Sequence, residues 1–281
     1  MLINTFIHIQ GIGPRTESDL WQSGIRDWHD FLENTPATVS PGRGAYIADA
    51  LAESLDNSTD PNYFAKLLPA AQQWRIFPAF RKSTAYLDIE TTGLSDYCEI
   101  TTIALYDGAT IKYYVQGENL DDFPADLAKY DVLVSYNGKS FDVPIIERYF
   151  GLTIDQAHLD LRYILYNLGF KGGLKGCEKQ LGLSREGLDG VDGYQAVLLW
   201  NLYRRSGERR ALETLLAYNI MDTVNLEALL VEAYNRNLGL TPFREELRLP
   251  PPVRPQIPFK PDPAILAELN NFPSPGFYRH R

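Results

Sequence analysis

The chain changes its hydrophobic rhythm twice. Over its first 60 residues apolar side chains recur at helical spacing. The run Gly11-Ile12-Gly13-Pro14-Arg15-Thr16-Glu17 leads into a helix through Asp19, Leu20 and Trp21, and Gly24-Ile25 closes it. Trp28, Phe31 and Leu32 mark a second amphipathic helix, and residues 45–55 read as a third. Residues 56–61 are a turn, and 63–80, with Phe64, Leu67, Leu68, Trp74, Ile76, Phe77 and Phe80, form an apolar bridge to the next domain. From Ser83 the period becomes two. Ala85, Leu87 and Ile89 alternate with Tyr86, Asp88 and Glu90, which is a strand signal. Residues 99–106 and 110–115 flank Asp107-Gly108 as a hairpin. Residues 121–129 read as a connecting helix, 131–136 as a short buried strand, and 137–142 as its exit. A helix over 144–150 carries its proline near the first turn. A further strand falls at 157–161. Helices follow at 174–181, 193–206 and 209–235, the last with a kink. After Leu240 the rhythm is lost. Nine of the 18 prolines fall between Pro250 and Pro275, which excludes an ordinary helix or central strand there. The expected form is an extended tail wrapping the domain through Phe259, Leu266, Leu269 and Phe272.

This pattern divides the chain into a helical module over 1–60, a bridging segment over 61–82, a main domain over 83–240 and a proline-rich tail over 241–281. With 281 residues, 44% of them hydrophobic, the main domain has material for a sizeable core. No apolar run reaches the roughly 18–20 residues of a membrane span, and no signal peptide is expected. Cys98 and Cys177 make neither a disulfide nor a metal framework, so a soluble protein of the reducing cytoplasm is expected. His8, His29, His158 and His280 are scattered without zinc spacing. The formal net charge of −9 argues against an unspecific nucleic-acid coat. It leaves room for an enzyme whose acids hold cations.

Three carboxylate motifs carry the candidate chemistry. Residues i and i+2 of a strand share a face, so Asp88 and Glu90 project side by side. Two neighbouring carboxylates repel when both are ionised, and a hard divalent cation between them removes that cost. Alone, the pair reads as an edge strand with two solvated acids, because so short a motif is common. The second motif is Asn137-x₃-Phe141-Asp142, after the buried strand. The third is Tyr218-x₃-Asp222, whose residues share a helical face. Their joint occurrence, in this order and on these elements, is far more restrictive than any one of them.

Together the motifs resemble the DEDD superfamily of 3′–5′ exonucleases on a ribonuclease H-like fold, and Tyr-x₃-Asp resembles its DEDDy branch. The runs Asp88-Ile89-Glu90-Thr91-Thr92-Gly93-Leu94, Tyr136-Asn137, Gly173-Leu174-Lys175 and Tyr218-Asn219-x-x-Asp222 resemble the YprB-type nucleases most. The resemblance covers about residues 83–240. It implies an α/β fold: a ribonuclease H-like mixed five-stranded sheet flanked by helices. It implies two divalent ions, Mg²⁺ or Mn²⁺, about 4 Å apart. Asp88 would bridge them, Glu90 and Asp222 would complete one site, and Asp142 would hold the second ion largely through water. Tyr218 would orient the attacking water. Main chain at Thr91 and Thr92 would meet the 3′ terminus, and Leu94 would wedge between the last two bases. Asn137 and Phe141 would line the groove, the ring offering a stacking face. Lys175 would contact a phosphate, with a solvated lysine the alternative. His158 and Asp160 read as supporting or structural, and Arg204, Arg205, Arg209 and Arg210 as a basic cluster or a solvated face.

The hairpin at Gly11–Gly13 resembles a helix-hairpin-helix, although Met1–Gln10 is short for its first helix, and a degenerate hairpin packed on the main domain is the alternative to phosphate contact. It tilts the expected substrate toward DNA over RNA. The YprB-type resemblance suggests DNA repair and a helicase partner. The expected activity is a metal-dependent 3′–5′ exonuclease. The competitors are an RNA exonuclease with the same site, a catalytically silent nucleic-acid-binding adaptor, and a structure-selective endonuclease.

Overall fold

The computed structural model describes residues 1–95, 97–185, 187–188, 190–269 and 272. Five helices come first: α1 (Pro14–Gln22), α2 (Trp28–Glu33), α3 (Pro41–Asp56), α4 (Pro61–Leu67) and α5 (Phe77–Phe80). The sheet comes next. β1 (Thr84–Thr91) lies at its centre, with β2 (Ile100–Tyr106) antiparallel beside it and β3 (Ile111–Val115) antiparallel beyond. On the other side β4 (Val132–Ser135) and β5 (Ala157–Asp160) run parallel to β1. The order β3-β2-β1-β4-β5 is a mixed five-stranded sheet, as the family resemblance implied. At Asp107-Gly108 the hairpin closes as predicted. Asp107 Oδ1 accepts the amides of Ala109 and Thr110, and Gly108 takes φ +90°, which suits glycine.

The remaining helices are α6 (Phe123–Leu127), α7 (Asp142–Phe150), α8 (Leu161–Asn167), α9 (Gly173–Gln180), α10 (Gly193–Ser206), α11 (Arg209–Leu238) and α12 (Pro263–Leu269). The alternation along β1 sorts them into two layers. Ala85, Leu87 and Ile89 pack with Phe123, Leu127, Ile145 and Ile146 of α6 and α7. Tyr86 packs on the opposite face with the cluster that holds α8 to α11. Asp88 and Glu90 share that face by register, so they look toward α11. α11 is the axis of this layer. It packs against both β1 and β2 and is buried along most of its length. It runs unbroken for 30 residues.

The same hydrophobic cluster continues into the N-terminal helices. Phe6, Trp28, Phe31 and Phe64 are buried in it with Trp74 and Phe77. At its heart Arg75 Nη2 meets Glu17 Oε2 at 2.9 Å. Thr5 Oγ1 and the Phe6 amide each donate to Glu17 Oε1 at 2.7 Å. Only a 3₁₀ turn, Leu2–Asn4, stands where a helix-hairpin-helix has its first helix. Gly13 caps α1, with Pro14 in its first position.

Two expectations need correction. Asp142 does not lie in a loop: α7 begins at it, two residues before Pro144. First-turn amides have no intrahelical partner, so proline costs nothing there. The tail turns over 241–247 and is extended only over about 248–262. Ile257 and Phe259 lie against the core, and Phe259 meets Tyr113 edge-on at 5.0 Å. Then α12 forms, because Pro263 sits at its first position and Asp262 Oδ1 accepts the amides of Ala264 and Ile265. Leu266 and Leu269 are buried as expected, whereas Phe272 is 55% exposed. No helix among the described residues is long and apolar enough to cross a membrane.

Candidate active site

β1 and α11 build the site between them. Asp88 and Glu90 project from β1, and Tyr218 and Asp222 stand one helical turn apart on α11. Asp88, Glu90 and Asp222 each bring a carboxylate oxygen within 4.8 Å of the others. The register of β1 against β2 slips between Glu90 and Thr91, and such irregularities re-aim the side chains at a strand's end. From the first turn of α7, Asp142 Oδ1 accepts the Ile89 amide at 3.2 Å. All five predicted groups thus line one cleft of about 210 Å³, together with Asn137, Phe141 and Lys175.

The cleft is electrostatically strained. Burial, and then the charges of Glu90, Asp222 and Asp142, hold the Asp88 carboxyl well above the usual carboxylate range. Oxygen donors at this spacing, repelling one another, suit a hard divalent cation. Two protein cations also approach. Lys175 Nζ donates to Tyr218 Oη at 2.6 Å and stands 4.7 Å from the ring centroid. Burial lowers its pKa, against the pull of Asp222. Burial also pushes the Tyr218 phenol well above its ordinary value, and Asp222 and Glu90 push it further. Tyr218 therefore keeps its proton at neutral pH and is suited to donate a hydrogen bond, not to act as a base.

Four residues support the acids: Asn219, which lies in a quoted run but carries no expected role, and Arg185, Glu178 and Asn225, which escape the motifs. Asn219 Nδ2 donates to Asp88 Oδ2 at 2.7 Å and to the Asp88 carbonyl at 3.1 Å. Its Oδ1 accepts from Thr102 Oγ1. Thus β2 fixes the amide and the amide fixes Asp88. Arg185 Nη2 bonds Asp222 Oδ1 while its Nη1 bonds Glu178 Oε2, and Asn225 holds the other oxygen of Glu178. Against the cost of burial, Asp222 and Glu178 keep the guanidinium firmly charged. A polar asparagine on the strand-facing side of a buried helix is the one available signal. Arg185 and Glu178 give none.

Thr91, Thr92 and Leu94 lie outside the lining of the cleft. Thr91 is buried, with its hydroxyl donating to the Gly93 carbonyl at 2.6 Å. Thr92 Oγ1 accepts the Glu99 amide, and Leu94 is half-buried. The threonine side chains hold their own turn. Asn137, by contrast, stands at the rim with φ +64°. Its amide donates to Asp160 Oδ1 at 2.7 Å, and Lys139 and Arg162 donate their amides to the same carboxylate. His158 Nε2 bonds Ser135 Oγ at 2.7 Å, and that oxygen accepts the Gly138 amide. His158 and Asp160 are therefore structural supports of the 137–139 turn. A Cβ on Gly138 would overlap Ser135 Oγ, so a larger residue fits only if the turn shifts. Arg209 and Arg210 are paired on the surface with Glu118, Glu208 and Asp262, and Arg204 covers the Trp200 ring.

Fold and site together define an α/β protein of ribonuclease H type with an acidic cluster at the end of its central strand. A sequence profile described as the RNase_H superfamily matches residues 85–234, more than half of the chain, and the chain belongs to that superfamily. Among solved structures it is similar to the family B DNA polymerase from the hyperthermophilic archaeon Pyrobaculum calidifontis. The identity is 17% and the TM-score 0.42, over 56% of this chain and 26% of the polymerase chain. The chain thus spans about a quarter of that polymerase's length. No curated protein matches it.

Proposed function

We propose that the chain is a metal-dependent 3′–5′ exonuclease that hydrolyses phosphodiester bonds at nucleic-acid ends. One observation carries this reading: Asp88, Glu90, Asp142, Asp222 and Tyr218, distant in sequence, line a single cleft. Asp88, Glu90 and Asp222 are suited to hold one divalent ion, and Asp88 with Asp142 a second, Mg²⁺ or Mn²⁺. Such ions, when bound, supply a nucleophilic water at neutral pH and neutralise charge on the phosphate. The rest is done by side chains. Asn219 sets the angle of Asp88, and Arg185 that of Asp222. Tyr218 donates a hydrogen bond to the water in line with the scissile bond. Lys175 exchanges its Tyr218 bond for a phosphate oxygen, and Phe141 offers a stacking face to the terminal base.

DNA is the first substrate to test, because the Gly11–Gly13 turn presents the capped end of α1 as a phosphate-seating hairpin would. A second reading, a silent nucleic-acid-binding module, draws on a specific observation: Lys175 and Arg185 already place two positive charges among the acids. The two separate in one assay. Oligonucleotides of DNA and RNA, labelled at the 5′ end, are incubated with Mg²⁺, Mn²⁺ or chelator. A ladder shortening from the 3′ end, abolished by chelator and by Asp222→Asn, is expected. Strand binding without cleavage in either metal would establish the silent module instead.

A further inference from the structure

The acidic cleft opens sideways. Tyr136, Asn137 and Gly172 line it, and the same three residues line a neighbouring hollow of about 260 Å³. The two spaces differ in chemistry. Carboxylates dominate the first. The second has Arg162 and Lys171 in its wall and no carboxylate in its lining. Its other prominent groups are aromatic. Tyr166, at the end of α8, is 67% exposed. Phe170 lies beside it, with the guanidinium of Arg236 at 5.1 Å from its ring centroid. Arg162 Nη1 also reaches back to Asn137 Oδ1, tying the hollow's wall to the rim of the cleft.

Open aromatic faces interleaved with cations are what a single strand needs. Bases stack on the rings, whatever their identity, and phosphates lie against the charges. A phosphodiester chain entering an acidic cleft is repelled along its length except at the reacting end. It gains by running over a basic neighbour. A paired base inside a duplex has both faces already stacked and cannot use Tyr166. We infer that this hollow seats the nucleotides of a single-stranded nucleic acid just 5′ of the bond cut in the cleft. The inference rests on the exonuclease reading for its polarity, and it adds a substrate class: unpaired ends in preference to duplex.

The test uses the full chain and its Tyr166→Ala, Tyr166→Trp and Lys171→Ala variants. Both positions are exposed, so the variants keep the fold, which circular dichroism checks. Binding of a fluorescent single-stranded oligonucleotide and of the same sequence as a blunt duplex is measured by anisotropy in Ca²⁺. Tyr166→Ala is expected to weaken single-strand binding about tenfold, and Tyr166→Trp to keep it. Lys171→Ala is expected to flatten the salt dependence by about one ion. In Mg²⁺, the loss of kcat/KM in Tyr166→Ala grows as the strand lengthens from a dinucleotide to an octanucleotide. Single-strand binding equal to wild type in both alanine variants overturns the inference, and so does an equal loss on duplex. Hydrolysis of the p-nitrophenyl ester of thymidine 5′-phosphate by the wild type tests the exonuclease reading by itself. If that ester survives while Tyr166→Ala weakens strand binding, the nuclease reading falls and the strand-binding hollow stands.

Discussion

Two clusters of buried charge lie on the same side of the sheet, and they are built on opposite terms. In the N-terminal layer Glu17 faces one arginine, Arg75, with Thr5 and the Phe6 amide filling the rest of its hydrogen-bonding capacity. One charge meets one charge and the donors match the acceptors. At the end of β1, Asp88, Glu90, Asp142 and Asp222 converge, and the cations that reach them are Lys175 and Arg185, the latter shared with Glu178. Both places carry the desolvation cost of ionised groups. The first balances charge against charge within the protein, although burial still outweighs the pairing, and so fixes structure. The second leaves negative charge in excess, and that excess is an affinity for something from outside. Burial of charge alone does not separate scaffold from site; the local balance does.

The largest expected effect breaks the second cluster. Asp88→Asn removes a negative charge at the point where the others converge. Exonuclease turnover should fall by at least about a thousandfold, on the order of 4 kcal/mol. The same change relieves repulsion, so the metal-free protein should become more stable by about 1 kcal/mol, a rise in Tm of about 2–4 °C. Turnover on a labelled oligonucleotide and calorimetry in chelator check the two halves. A variant that loses activity and stability together would show that the acids are structural. The mirror experiment is Glu17→Gln. It leaves Arg75 buried opposite a neutral partner, so about 3–5 kcal/mol of unfolding free energy should be lost in urea titration. Activity per folded molecule should stay unchanged. Asp88→Asn and Glu17→Gln thus predict opposite signs for stability and opposite outcomes for chemistry.

A smaller effect probes the turn that joins β4 to the cleft. Gly138→Ala drives a methyl group into Ser135 Oγ and Cβ. The turn must shift, at a cost of about 1–3 kcal/mol. Because Asn137 precedes it at the rim, KM for an oligonucleotide should rise more than kcat falls. Gly138→Ala combined with Ser135→Gly removes the clash but also the oxygen that holds the Gly138 amide and His158, so it should recover only part of both, which steady-state kinetics on the two variants would show.

The first cluster's neighbourhood is less legible in sequence than the second's. Asp88 and Glu90 stand on a strand of clear alternation and Tyr218 and Asp222 one turn apart on a long helix, so spacing alone puts each pair on a shared face. The motifs pick out Asp142 but place it on the wrong element, because Pro144 reads as a helix start although it occupies a first-turn position. The strand reading over 157–161 runs past the start of α8, although Leu161, Ile164 and Leu165 recur at helical spacing. Leu161, Ile164 and Leu165 extend the apolar run of β5 without a glycine or proline between, and the cap that starts the helix is Asp160, the last residue of the strand itself. That overrun hides Tyr166 and Arg162, and with them the hollow beside the cleft. Arg185 lies in an aperiodic turn and reaches Asp222 across 37 positions, a contact that only the fold creates. The pairing of Glu17 with Arg75 across 58 positions is hidden for the same reason.

The smallest effect sharpens the comparison by pH. His8 is buried in the N-terminal layer, 5.4 Å from the Trp28 ring centroid and with Nε2 on Ser54 Oγ at 2.9 Å. Burial, and then the positive charge of Arg75, lower its pKa to about 4 from an ordinary value of 6.5. The folded state therefore holds His8 neutral where the unfolded chain would protonate it. The contribution of His8 to stability is complete above pH 6.5, falls as the pH drops through the interval to about 4, and is flat below. Its slope approaches about 1.4 kcal/mol per pH unit in mid-interval. Glu17, beside the same arginine, works the other way. Burial raises its pKa, against Arg75 and its hydrogen bonds, so its contribution is full at low pH and declines as the pH rises through the folded value. The two oppose each other in the wild type, and a simple acid titration would show only their sum. The difference between wild type and His8→Gln isolates one of them. It should shrink steadily from pH 6.5 to 4 in urea titrations at fixed ionic strength, while the difference between wild type and Asp88→Asn should show no such trend from His8. A constant gap between wild type and His8→Gln across that interval would mean that the imidazole is reached by water, and that the layer around Arg75 is wetter than its packing implies.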